Sequence, residues 1–231
     1  MATEAQARQT FELAREFYKG GDKSNNKSYF GTGRAFDRFF GVSTPKLNIE
    51  PGAALSDKQT ARNYRMLENL SMDPTAGRSV VGTTPFEFGM TLYVQNDTRG
   101  NCGEMAALAV YCAVAGVHVP ADEVSMMTST NTVDGGFFGG GVRSFGHSFA
   151  VLGRGPNAAR WVVDPWAGVW CSLDNYATEL TAQLRDWLNK GKRIAAPMKD
   201  GMCWVEPTND IVTGILTKNA RWQEVGANQK G

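Results

Sequence analysis

Apolar and polar positions alternate with changing period along the chain, and the changes mark out its elements. Phe11, Ala14, Phe17 and Tyr18 recur at helical spacing behind Thr3, a capping residue, and Gly20-Gly21 stops the run, which predicts an amphipathic helix over residues 4–19. Ser56-Asp57-Lys58-Gln59 has the form of a capping box, and the stripe Ala61, Tyr64, Leu67 and Leu70 predicts a second helix to about Met72. Between Gly77 and Asp97 the helical period is lost. An approach loop is expected over Pro85–Met90 and a short extended piece over Thr91–Val94. From Cys102 to about Ala115 the side chains are small and apolar all round, as in a helix buried at the centre of a domain, and Gly116 closes it.

Strand-like runs follow at Glu123–Thr130, Ser144–Leu152 and Arg160–Asp164. The turn-rich Gly153-Arg154-Gly155-Pro156-Asn157 joins the last two as a β-hairpin. Tyr176, Leu180, Leu184 and Leu188 lie four apart in a helix expected over Asp174–Lys190 and ended by Gly191. A late strand is expected at Met202–Val205 and a frayed tail from Gly226 to Gly231. The order of elements predicts an α+β domain, and no internal repeat interrupts it.

Composition adds constraints of another kind. A chain of 231 residues is long enough for a substantial core, and no Pro/Ser-rich linker divides it. One domain over 1–231 is expected, with 1–95 mainly helical and 96–225 forming the core. Lys and Arg number 24 against 23 Asp and Glu, so charge gives no reason to expect nucleic acid or an anionic membrane as partner. No apolar run reaches the ~20 residues that span a bilayer. The polar start Met1-Ala2-Thr3-Glu4 lacks the pattern of a signal peptide. A soluble chain is expected, without a cleavable export signal, which leaves export by a specialised secretion system open.

The four cysteines, Cys102, Cys112, Cys171 and Cys203, form no C-x-x-C pair, so neither a zinc knuckle nor a redox dithiol is suggested and no cofactor is expected. On one helix, Cys102 and Cys112 are about 15 Å apart, too far for a disulfide. Cys102 differs from the other three in standing at a predicted helix start, where unpaired N–H groups and the helix dipole stabilise a thiolate. It is either a nucleophile or one more small buried hydrophobe.

A thiol hydrolase also needs an imidazole, and the chain has only two. His118 lies past the far end of the Cys102 helix, a structural or exposed position. His147 begins an alternating run, Phe145-Gly146-His147-Ser148-Phe149-Ala150-Val151-Leu152. Asp164 ends the next strand in Trp161-Val162-Val163-Asp164-Pro165, so the hairpin can lay its carboxylate against the second imidazole nitrogen. An Asp-Pro pair taken alone is a turn. The glycine cluster at 134–141 is followed by no Gly-Lys-Ser/Thr, which excludes a phosphate loop and leaves a flap carrying Phe137 and Phe138 or a plain surface loop. Arg62, Arg65 and Arg78 are read as solvated charges.

Gly100-Asn101-Cys102-Gly103-Glu104-Met105-Ala106, Gly146-His147-Ser148-Phe149-Ala150-Val151-Leu152 and Val162-Val163-Asp164-Pro165-Trp166-Ala167 resemble the three blocks of the papain-like and transglutaminase-like cysteine enzymes, nearest to bacterial effector and toxin members. The likeness covers residues 100–116 and 145–168. It implies a central helix led by the nucleophilic cysteine, packed on an antiparallel sheet that carries the histidine and aspartate, with additional N-terminal helices. It also implies Cys102 as nucleophile, His147 as general base and then acid, and Asp164 as orienting acid. The oxyanion would be held by the Cys102 N–H and an upstream amide. Papain-like enzymes place a glutamine six residues before the cysteine; that position here is Asn96, beside Gln95. Asn96-Asp97-Thr98 is also a glycosylation sequon, and a glycan there would obstruct the nucleophile, which argues against a eukaryotic secretory route.

The resulting expectation is a hydrolase that attacks a carboxamide or peptide carbonyl of a protein substrate, for an effector a host protein. Deamidation of Gln or Asn side chains is favoured by the toxin-type motifs. Proteolysis shares every step but the leaving group. Acyl transfer and an inactive binding module of the same fold are the remaining alternatives.

Overall fold

A computed structural model describes residues 1–19, 27–29, 83–96, 102–130, 147–155, 158–198, 201–205, 207 and 221–230. The expected helix at 56–72, the glycine cluster at 134–141 with Phe137 and Phe138, and Arg62, Arg65 and Arg78 lie outside the described residues. Among the described residues the fold is α+β, four α-helices packed on a five-stranded antiparallel sheet. No helix among them is long and apolar enough to cross a membrane.

Helix α1 (Glu4–Phe17) starts where the sequence predicts. Thr3 and Gln6 form a reciprocal capping box, the Gln6 N–H donating to Thr3 Oγ1 and the Thr3 N–H to Gln6 Oε1. Its inward positions Ala7, Thr10 and Ala14 are small, so the helix lies close on the core. Arg15 Nη1 donates to the Pro165 carbonyl at 3.1 Å, which ties this helix to the turn behind Asp164. A three-residue strand, β1 (Lys27–Tyr29), follows.

Where a loop and an extended piece are expected, the chain forms helix α2 (Pro85–Val94). Phe86, Phe88, Leu92, Tyr93 and Val94 are apolar on every side of the helix, which hides the helical period. The end signals were nonetheless present. Thr84 and Glu87 make a capping box and Pro85 occupies the first turn, where its missing N–H costs nothing. The Glu87 pKa is lowered by its hydrogen bonds with the Thr84 backbone and hydroxyl.

Helix α3 (Cys102–Tyr111) continues as a π-helical turn over Cys112–Gly116, close to the predicted Cys102–Ala115. Glu104 through Val110 are all buried, as the small apolar sequence implies. Helix α2 crosses α3 at Gly89: a Cβ there would sit 2.1 Å from the Ala107 carbonyl oxygen, so only hydrogen fits between the backbones. Phe86 and Tyr93 of α2 pack on Tyr111. His118 is exposed in the left-handed region, with φ 60°.

The main sheet runs β5-β4-β3-β2-β8, from β2 (Val124–Thr130), β3 (His147–Leu152), β4 (Trp161–Asp164), β5 (Val169–Ser172) and β8 (Arg221–Gly226). Strands β2 to β5 form an antiparallel meander in sequence order. Gly153 begins the β3–β4 turn with φ 97°, where a Cβ would meet the Ala159 carbonyl oxygen at 2.4 Å. Leu108, Val110, Phe149, Val151, Leu152, Val162 and Val163 are buried in the hydrophobic core.

Helix α4 (Tyr176–Asn189) follows a short 3-10 turn over Leu173–Asn175 and ends at Gly191, close to the expected span; it packs on β5 and on β6 (Lys192–Met198). Strand β7 (Gly201–Val205) extends the predicted late strand and pairs with β6, which pairs with β1 in a three-stranded sheet. The frayed tail expected from Gly226 is anchored at its start. Ala227 is fully buried, its N–H donating to the Val124 carbonyl and its carbonyl accepting from the Phe86 N–H. Strand β8 brings the chain there by pairing with β2, a long-range event with no local signature.

Candidate active site

The hairpin places the imidazole and the carboxylate. Ala150 pairs with Val163, so the register carried one residue further sets Phe149 opposite Asp164. His147, two positions before Phe149, then lies on the same face as Asp164, one diagonal step away. The Nε2–H of His147 donates to Asp164 Oδ2 at 2.8 Å. That bond fixes the proton on Nε2 and leaves Nδ1 as the nitrogen available to a thiol. Cys102 supplies the thiol from the first residue of α3, which packs against β3.

The pKa shifts follow from this packing. Burial opposes charge on His147, but the charge of Asp164 and its hydrogen bond outweigh burial, and the nearby Cys102 adds to them; the imidazole pKa is raised. Burial pushes the Asp164 carboxyl up, and the His147 charge, the His147 hydrogen bond, the Ala167 N–H and the Tyr176 hydroxyl together hold it below its ordinary value. The arrangement therefore favours a charged imidazolium–carboxylate pair. The His147 side chain is 2% exposed and that of Asp164 is fully buried, so solvent screens the pair very little.

The Asp-Pro sequence makes a turn as well as ending the ladder. Asp164 Oδ1 accepts from the Ala167 N–H at 2.9 Å, and its carbonyl accepts from the Gly168 N–H. The turn locks the carboxylate against rotation while Oδ2 faces the imidazole. Trp166 then lies against the His147 ring with centroids 5.0 Å apart, and Trp187 of α4 packs edge-on to Trp166.

Two polar residues at this site lack a local sequence signal. Tyr176, read as one apolar position of a helical stripe, donates its hydroxyl to Asp164 Oδ2 at 2.8 Å, with the oxygen 3.0 Å from His147 Nε2. Its pKa is raised by burial and then by the Asp164 charge, so the phenol remains a neutral donor. Glu104, in the first turn of α3, is 1% exposed, a carboxylate enclosed two residues beyond the nucleophile candidate.

The other expectations fare differently. Gln95 caps the end of α2 and Asn96 follows with φ 50°; both side chains are exposed and neither makes a hydrogen bond among the described residues. Residues 97–101, which lead from them to Cys102, lie outside the described set. Cys112 and Cys171 are free thiols, and Cys112 is buried with its pKa pushed up to about 12 by burial, a core residue. No cluster of His, Cys, Asp and Glu among the described residues could hold a metal ion. A cleft of about 700 Å³ opens at the opposite end of the sheet, against Ser125, Arg160 and Glu224, and includes none of Cys102, His147 and Asp164.

Asp164→Asn keeps the shape of the side chain and removes its charge. Burial then dominates at His147 and its pKa falls, so the imidazolium is lost at lower pH. The alkaline limb of the pH profile for Cys102 alkylation by iodoacetamide is expected to move down by about one pH unit or more. An unchanged limb would separate Asp164 from the thiol chemistry.

Neither a family model, nor a curated protein, nor a solved structure matches this chain, so the case for the site rests on the geometry of Cys102, His147 and Asp164.

Proposed function

We propose that the chain is a cysteine-dependent amide hydrolase of papain-like or transglutaminase-like type acting on a protein substrate, with deamidation of Gln or Asn side chains as its reaction. The observation that carries this reading is the buried His147–Asp164 hydrogen bond beside a helix-initial cysteine whose helix packs against the histidine's strand. Cys102 Sγ, its proton already passed to His147, attacks the carboxamide carbon and gives a tetrahedral oxyanion beside the imidazolium. The imidazolium then protonates the departing nitrogen, ammonia leaves, and a thioester remains. Water, deprotonated by the neutral imidazole, hydrolyses the thioester and restores the thiol. Asp164 stabilises the imidazolium at each charged stage without taking the proton.

The Cys102 N–H and Gln95 or Asn96 are the proposed oxyanion donors; loss of a true donor costs ~3 kcal/mol of transition-state stabilisation. The block pattern resembling bacterial effector and toxin enzymes supports a role in modifying a host or rival-cell protein after specialised secretion.

Lysate proteins treated with wild type and with Cys102→Ala provide the test. Intact mass and peptide mapping are expected to show exchange of a side-chain NH2 for OH in a protein exposed to wild type only, with the backbone whole. Two fragments in place of that exchange assign peptide cleavage instead. No difference between the two treatments removes the hydrolase reading.

A further inference from the structure

We propose that Tyr176 is a positioning residue of the triad, which by sharing Asp164 Oδ2 with His147 limits how tightly the carboxylate holds the imidazole proton. The proposal rests on the hydrolase reading above and adds a fourth member to its site.

Three polar atoms meet at one point: Tyr176 OH and His147 Nε2 each lie 2.8 Å from Asp164 Oδ2 and 3.0 Å from one another. A neutral phenol has one proton to give, and Oδ2 of the carboxylate accepts it. The imidazolium proton on Nε2 points to the same oxygen. Two donors thus divide the charge of one oxygen, while Oδ1 is bound by the Ala167 N–H. Each donor that disperses carboxylate charge weakens its pull on the other.

The position of Tyr176 is set by packing independent of the hydroxyl. It opens α4 and is 4% exposed, and its ring lies 4.4 Å, centroid to centroid, from Phe149, which sits between His147 and Val151 on their face of β3. A phenylalanine would keep this contact and lose only the donor. The titratable groups acting at this point are Asp164 from β4, Cys102 from α3 and Tyr176 from α4, with Cys171 of β5 acting on Tyr176 and acted on by Asp164; Ser129, opposite His147 on β2, does not titrate.

The chemical consequence concerns the second half of the acylation step. An imidazolium clamped by an undivided carboxylate charge is a poor acid toward a leaving nitrogen. With the hydroxyl in place, His147 remains acidic enough to release its proton. Without it, proton transfer to the leaving group slows while substrate binding is untouched.

The test is the titration of His147 by imidazole NMR in wild type and Tyr176→Phe, with exposed His118 as internal reference. Tyr176→Phe is expected to raise the His147 pKa by about 0.5–1 pH unit and to lower kcat about three- to tenfold with KM unchanged. Replacement of Tyr176 by a ring-fluorinated tyrosine, a stronger donor, should move the His147 titration the opposite way, and this holds the proposal open to test even where the phenylalanine variant folds poorly. Coincident titrations, or a downward shift in Tyr176→Phe, overturn it. The titration needs no turnover, so the proposal can fail while the hydrolase reading stands, and Cys102→Ala tests that reading separately.

Discussion

Cys102→Ala is expected to leave no measurable turnover, a loss of about 10⁴-fold or more in kcat/KM, with the fold unchanged. The thiol is partly buried at the first position of α3, open on one side, and alanine is the best helix former, so its removal opens no sealed cavity. His147→Ala should lose as much activity for a different reason and with a different side effect. It strips the buried Asp164 carboxylate of its cationic partner and leaves the Tyr176 hydroxyl and Ala167 N–H to satisfy the charge. Leaving a buried charge uncompensated costs about 3–5 kcal/mol, so this variant should unfold at much lower denaturant concentration. Kinetics and urea unfolding on the two variants give the combined result: one inactive and stable, the other inactive and destabilised. Retention of a tenth of the activity by Cys102→Ala would sink the nucleophile assignment.

Gly89→Ala is expected to cost about 3 kcal/mol or more of stability, an unusually large effect for one methyl group. The added Cβ would lie 2.1 Å from the Ala107 carbonyl oxygen, 2.7 Å from its carbon and 2.8 Å from Tyr111 Cβ. Two of these three atoms are backbone of a buried helix and cannot turn aside as a side chain would. Helix α2 must therefore move off α3, exposing the contact around Leu92 and loosening the element that presents Cys102. Gly116→Ala is the control, because its Cβ would meet only Leu13 Cδ1, at 3.0 Å, on a side chain that is partly exposed and able to rotate. Urea midpoints should separate the two variants clearly; equal midpoints would mean that α2 has room to yield.

Much of the central fold was legible because its signals are local. Small apolar residues after Cys102 specify a buried helix at any position, and Gly116 ends it. The hairpin of β3 and β4 is written in β-branched and aromatic residues around a glycine-rich turn, and Asp164-Pro165 marks where pairing stops. Helix α2 is hidden from periodicity, since an all-round apolar sequence has no stripe to detect, whereas Thr84-Pro85-Phe86-Glu87 states a helix start. Strand β5 has no sequence signal because its four residues, Val169–Ser172, follow a turn closely and are too short to show alternation. Strand β6 holds Pro197, which reads as a breaker and is tolerated near the strand end beside Met202.

Within the site, Cys102, His147 and Asp164 were legible through spacing and scarcity, and the structure brings the three together. Tyr176 was not, since a tyrosine at helical spacing is an ordinary core residue until its hydroxyl has a named partner on another element. Glu104 gives no sign either, because a glutamate in a first helical turn favours the dipole whether or not it is buried. Both depend on contacts that form only when α3, α4 and the sheet close over one another.

The spacing of 17 residues between His147 and Asp164 also bears on how the molecule assembles. A hairpin of that size closes quickly and at little entropic cost, whereas docking of α3 requires a more distant part of the chain. His147 and Asp164, the base and orienting acid of the proposed reaction, can thus meet early, before Cys102 arrives. Under the proposed function, the newly made chain would hold its imidazole before it had a thiol to activate, and reactivity would appear only with the final closure of helix on sheet.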